Sequence, residues 1–161
     1  MGHAVFVTSH RSHHNHRAGE RYHFAKTYLS SVLTTVGDWV VLYEPKTSGT
    51  RGYYAFQRVA RIEPDLERPN HFYAIFDDLI RFDRSLPRLR PNSTPYETGL
   101  PQRGGSNLKA VREVSPAVMR SLFTAGIAPA HKFFGAQKMG LKDYISSTIT
   151  TPETAFSAPL I

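Results

Sequence analysis

Apolar and polar positions alternate along this chain in short runs, each closed by a turn signal. Ala4-Val5-Phe6-Val7-Thr8 is β-prone and predicts a buried first strand. The polar stretch from Ser9 to Arg21, full of His, Arg, Ser and Asn, predicts a loop. Ala25, Tyr28, Leu29 and Val32 carry the spacing of one short helix. Gly37-Asp38 marks a turn, and Trp39 to Tyr43 predicts a central strand that Pro45 ends. Lys46 to Gly52 is rich in Gly, Ser and Thr and predicts a flexible turn.

A third strand is expected over Tyr53 to Ile62, stopped by Pro64. Strict alternation puts Tyr54, Phe56 and Arg58 on one face, and Ala55, Gln57 and Val59 on the other. Phe72 to Phe82 predicts a fourth strand, and Leu86 to Gly105, rich in Pro, Gly and Arg, an irregular connection. Ala110 to Val114 predicts a last strand. Ser115-Pro116 is an N-cap followed by proline at the first helical position, opening a helix to Ala125 with Gly126 as its C-cap. Beyond it the pattern fades, and Ser146 to Ile161 has few charges. The expected organisation is one domain over 1–126 and a poorly ordered tail or remnant over 127–161.

Short strands with one early and one late helix predict a mostly β fold with flanking helices, of the α+β class. The sheet is expected to be curled or closed, with helices plugging its openings. The regular strand–helix alternation of an open parallel sheet is absent.

Composition narrows the function. At 161 residues, 40% of them hydrophobic, the chain is long enough to bury a core of its own. Lys and Arg number 20 against 13 Asp and Glu, a formal charge of +7. That balance favours a polyanionic partner. A membrane is set aside, since no apolar run approaches the ~18 residues of a spanning helix. Met1 to Thr8 has neither a basic n-region nor a cleavage site, so the cytoplasm is the expected compartment. Without cysteine there is no disulfide or thiolate chemistry. The charge is uneven: Arg81, Arg84, Arg88 and Arg90 cluster around a single Asp83.

Catalytic patterns fail one by one. His10-Arg11-Ser12-His13-His14-Asn15-His16-Arg17 offers imidazoles, but no carboxylate and no helical scaffold to fix a metal's geometry. His14-Asn15-His16 is three adjacent residues. A nuclease must spread metal binding, water activation and substrate orientation over a unit tens of residues long. Neither a Gly-x-Ser-x-Gly elbow, a Walker loop nor a His-Glu-x-x-His motif is present. Asp77 and Asp78 are adjacent on a predicted strand and point to opposite faces unless the backbone bulges. No metal, no cofactor and no catalysis by this chain alone are expected. The aromatics are the better signal. Most are core filler, but Tyr22-His23-Phe24 at a loop–helix junction, in a basic chain, suits base stacking at about 1–3 kcal/mol per ring.

The ordered set of motifs resembles an EVE domain of the PUA-like superfamily. The resemblance covers residues 4–126. It rests on the Thr8-Ser9 turn after the first strand, the aromatic run feeding a short helix, Gly37-Asp38-Trp39-Val40-Val41-Leu42-Tyr43, the Gly52-containing strand with Ala55 and Ala60, Glu63-Pro64-Asp65, and the strand into Leu86-Pro87. More narrowly, Glu20-Arg21-Tyr22-His23-Phe24, Lys26-Thr27-Tyr28-Leu29, Tyr43-Glu44-Pro45 and Phe82-Asp83-Arg84 resemble the N-terminal portion of bacterial HNH restriction endonucleases, whose nuclease domain has no counterpart here.

The resemblance implies a PUA-like curled barrel with a concave pocket for a flipped, often modified, base. Its pocket residues would be Ser9, His10, Tyr22, His23, Phe24, Tyr43 and Glu44, with Arg11, Arg21, Lys26, Lys46 and Arg51 on phosphates. The partner expected is nucleic acid, DNA in preference to RNA, with a separate nuclease as a second partner. An RNA-binding PUA-like module and an HNH-type endonuclease are the alternatives.

Overall fold

The computed structural model describes residues 2–8, 19–45, 52–98 and 109–127. The expected tail beyond Ile127, the His-rich run and the 46–51 turn lie outside these residues. The chain forms β1 (His3–Val7), β2 (Arg21–Ala25), a 3-10 turn (Lys26–Tyr28), α1 (Leu29–Leu33), β3 (Trp39–Glu44), β4 (Gly52–Pro64), β5 (His71–Leu86), β6 (Val111–Val114) and α2 (Pro116–Gly126). Among the described residues the strands make one sheet, ordered β2-β5-β4-β3-β1-β6. Only β1 and β3 pair in parallel.

The expected mostly β architecture with two helices is what forms, and the sheet is curled. β2 sits at one end of the strand order with β5, β4 and β3 between it and β1. Yet the Tyr22 ring on β2 stacks on Phe6 of β1 with centroids 4.7 Å apart. Its hydroxyl donates to the Val7 carbonyl at 2.9 Å. The sheet has therefore rolled until its far strands meet, as a twisted sheet does when its concave face is apolar.

Both faces are buried, which is why β3 is apolar at consecutive positions. Inside the curl Ala4, Phe6, Tyr22, Phe24, Val40, Leu42, Ala55, Val59 and Phe76 form one core, with Val32 of α1 closing it. On the convex face Val5, Val41, Tyr53, Phe56, Ile80 and Phe82 form a second, covered by Val118, Met119 and Leu122 of α2. Removing these apolar surfaces from water is the main stabilising term.

Four local expectations change. The run read as loop up to Arg21 and as a junction at Tyr22–Phe24 becomes β2, because Tyr22 and Phe24 alternate with Arg21 and His23 and pair with Ala74 and Phe72. Tyr54 does not share a face with Phe56. Leu42 faces Ala55 and Tyr43 faces Tyr53, so Tyr54 is a bulge residue; the β5 ladder skips it as well. One extra residue reverses the alternation, leaving Tyr54 with Ala55 inside the curl and Phe56 with Tyr53 outside. Asp77 and Asp78 do converge. Arg58 faces Asp78 and Val59 faces Phe76, which leaves Asp77 as a second bulge. Both carboxylates then reach the Arg58 guanidinium, at 3.0 and 3.2 Å.

The fourth change is at α2. The Ser115 side chain caps it as expected, accepting from the Val118 amide at 3.3 Å. Gly126 is not a left-handed cap but the helix's last residue. A Cβ there would lie 2.3 Å from Cδ2 of Phe82, so glycine is needed for close packing. Gly52 answers a similar demand at the start of β4. It has φ +152°, and a Cβ would sit 2.0 Å from the Leu86 carbonyl oxygen.

Candidate functional site at the mouth of the curled sheet

Parallel pairing of β1 with β3 brings both C-terminal ends to the same edge of the sheet. The antiparallel ladders add the start of β4, the end of β5 and the start of β6. This mouth is where the concave face turns polar.

Its polar atoms come from the 3-10 turn and from β1 to β5. The Thr8 hydroxyl, just past β1, lies 2.7 Å from the Tyr54 hydroxyl. Its amide donates to the Tyr43 carbonyl at 2.8 Å, which holds the β1 terminus against β3. The Tyr22 hydroxyl donates to the carbonyls of Val7 and Ala110, at 2.9 and 3.3 Å. The Tyr28 hydroxyl, from the 3-10 turn, accepts from the Ala110 amide at 3.3 Å. Glu44 is buried on the same face, two residues after Leu42, with its charge close enough to act on Tyr54. Arg81, exposed and paired opposite Ala55, brings a cation to the same phenol.

Burial pushes the Tyr54 phenol above its ordinary value. The bond to Thr8 works against that shift, and the Glu44 carboxylate adds to it. Burial likewise raises Tyr22 far above the usual range, helped by Tyr28. These phenols therefore stay protonated and serve as hydrogen-bond donors and acceptors. The arrangement can both donate hydrogen bonds to and accept them from a polar group. Among the described residues, no three His, Asp or Glu side chains converge to hold a metal.

The residues expected to line the pocket are divided by the sheet. Tyr22 and Glu44 share the concave face. Phe24 is on it too, but it lies between Tyr22 and Phe72 at 6.4 and 5.9 Å and is 2% exposed. Tyr22 is equally covered, so these two rings are core wall and not open stacking platforms. His23 points the other way, as its place between Tyr22 and Phe24 requires. It bonds Asp65 at 2.9 Å and lies against the rings of His71 and Tyr73. Burial lowers its pKa, and Asp65 opposes that shift.

Tyr43 is also on the convex face, edge-on to Tyr53 with centroids 5.0 Å apart. The Arg21 guanidinium stacks over Tyr73 at 4.5 Å, its Nε buried without a hydrogen-bond partner. Lys26 is exposed at the start of the 3-10 turn. Ser9, His10, Arg11, Lys46 and Arg51 lie outside the described residues. Tyr28 and Tyr54 were missed as site residues. Tyr28 read as an apolar helix position, and Tyr54 reaches Thr8 from a bulge that no local pattern announces.

Behind Tyr43, on the convex face, Glu97 is 3% exposed. It accepts from the Tyr53 hydroxyl at 2.6 Å and from Nε and Nη2 of Arg112 at 2.7 and 2.8 Å. Burial works against the Arg112 charge, but the bonds to Glu97 outweigh it and its pKa goes up. The triad ties β4, β6 and the segment after β5 together behind the mouth. No protein-family model matches the chain, and no curated protein matches it.

Proposed function

We propose that this chain is a nucleic-acid-binding module that reads a flipped base, of the EVE-type PUA-like kind, with the mouth of the curled sheet as its reading site. The observation that carries the reading is the placement of Tyr54. A bulge skipped by both neighbouring ladders holds its hydroxyl against Thr8, with Glu44 buried beside it. Bulges re-aim side chains in this way next to functional sites. Hydroxyls and one carboxylate at a concave opening match the donors and acceptors of a base edge, and a carboxylate accepts from an exocyclic amino group. The +7 charge and the exposed Arg81 favour a polyanion around that opening.

In this reading the buried rings of Tyr22 and Phe24 form the wall behind the base. DNA is the preferred partner, the cytoplasm the compartment, and a separate nuclease the source of any cleavage.

The test is binding of the purified chain to matched duplexes containing cytosine, 5-methylcytosine, 5-hydroxymethylcytosine or 6-methyladenine, with RNA as a further arm. Tyr54→Phe and Glu44→Gln are expected to weaken binding to the preferred base by about 1–3 kcal/mol and to leave plain duplex unchanged. Equal binding to every duplex, with both variants behaving like the parent chain, would overturn the reading. A preference for RNA would move it to the RNA-binding alternative.

A further inference from the structure

The convex face carries a second, separate feature. After β5 the chain folds into a tight turn over residues 88–96. Leu89 bridges Pro95, the Arg90 amide donates to the Thr94 carbonyl at 2.8 Å, and the Ser93 amide donates back to the Arg90 carbonyl at 2.9 Å. The Asn92 side-chain oxygen accepts from the Thr94 amide and hydroxyl, at 3.1 and 2.6 Å. This turn is anchored by Tyr96, which is buried edge-on to Tyr53. Between the turn and α2 runs a groove of about 560 Å³, with Arg90, Asn92 and Tyr96 on one side and Arg120, Ser121 and Thr124 on the other.

Two arginines, Arg90 and Arg120, line this groove. Arg90 is set over the Tyr96 ring at 4.9 Å, which restricts its rotamers before any ligand arrives. Arg120 is exposed on α2, one helical turn before Thr124, so both side chains share one stripe of the helix. Elsewhere Arg58, Arg61 and Arg112 each bond a carboxylate. Among the described residues no carboxylate pairs with Arg90 or Arg120. Like charges gathered without a counter-ion favour an anion, and forked guanidiniums with nearby hydroxyls suit phosphate oxygens.

We infer that this groove seats a phosphodiester group of a nucleic-acid backbone. The inference rests on the reading that the chain binds nucleic acid, but it concerns the convex face and not the concave mouth. A backbone contact there grips without reading, since phosphates carry no sequence information. It would fix the strand's path around the α2 side of the sheet while the mouth takes the base.

The experiment combines two readouts on the full chain. Affinity for modified and plain duplex is measured against salt for the parent, Arg90→Gln, Arg120→Gln and the double variant. Backbone amide shifts of Arg120–Ala125 are followed by NMR during titration with the same duplex, and separately with inorganic pyrophosphate. Each substitution is expected to lower the slope of log affinity against log salt by about 0.9, and the pair by about 1.8. The loss should be equal for modified and plain duplex, with shifts in the 120–125 amides. Binding of duplex with unchanged slopes and silent groove amides would overturn the groove and leave the base-reading proposal standing. Groove shifts with pyrophosphate but no binding of any duplex would make it a free-phosphate site and sink the nucleic-acid reading. No response to either ligand would overturn both.

Discussion

Replacing Glu97 by glutamine removes one charge from a buried site and almost no volume. In the parent chain this carboxylate is the acceptor for Tyr53 and for both forks of Arg112. The Arg112 side chain is 9% exposed, so water replaces little of what is lost. Breaking a buried ion pair from one side typically costs about 3–5 kcal/mol, because the remaining charge has no partner. The Tyr53 bond to a charged acceptor contributes about 1.5–3 kcal/mol of its own. Glutamine keeps one carbonyl for it, so the expected total stays near 3–5 kcal/mol. A domain of this size is stable by about 5–15 kcal/mol. The variant should therefore fold at low temperature with much of its margin gone.

Urea unfolding at neutral pH, with slopes compared to exclude a changed denatured state, reads the loss directly. The discriminating partner is Glu97→Leu combined with Arg112→Met. Removing both charges together is expected to recover most of the stability, since neither ion is left stranded. A loss below about 1 kcal/mol in Glu97→Gln would refute the reasoning, as would a double variant no more stable than the single.

The remaining predictions concern packing and pH. Gly126→Ala should destabilise the fold by about 1–3 kcal/mol, against alanine's usual helical advantage, because the added Cβ would meet Phe82; an unchanged Tm would show that the α2 terminus shifts freely. Burial depresses the His23 pKa in the folded chain, with Asp65 opposing and His71 and Arg68 adding to the depression. The unfolded chain then takes up a proton at about 6.5 that the folded chain resists, so stability should fall as pH drops from about 7.5 towards 5. Asp65 is itself held below the usual carboxylate value, by the Glu67 amide first and the His23 bond after it, and its contribution is lost only at more acid pH. His23→Gln should flatten the urea-unfolding profile between pH 7.5 and 5.5; an equal slope in the variant would show that His23 is not the titrating group.

Much of the succession of strands along the chain was legible because alternation is a local property. Five of the strands and α2 with its Ser115 cap followed from period-two runs, turn residues and the Ser-Pro pair. The basic charge and the want of a spaced catalytic motif were equally plain from the residues alone. β2 was hidden because its short alternating run adjoins a polar stretch and reads as the approach to a helix.

What only the tertiary structure decided depends on two strands at once. The bulge at Tyr54 exists because β3 and β5 both pair past it, and it decides that Tyr54, not Phe56, faces the mouth. The bulge at Asp77 likewise turns two carboxylates that local geometry separates onto one arginine. The curl buries Tyr22 and Phe24 as walls, and strand geometry sends His23 and Tyr43 to the opposite face, so residues adjacent in sequence do not share a site. Glu97 and Arg112 meet because β6 closes against β1, a long-range pairing that brings a cation from a strand to a carboxylate in an irregular segment. Residue types and their periods set the elements. Where each side chain points was settled by register, and register belongs to the sheet as a whole.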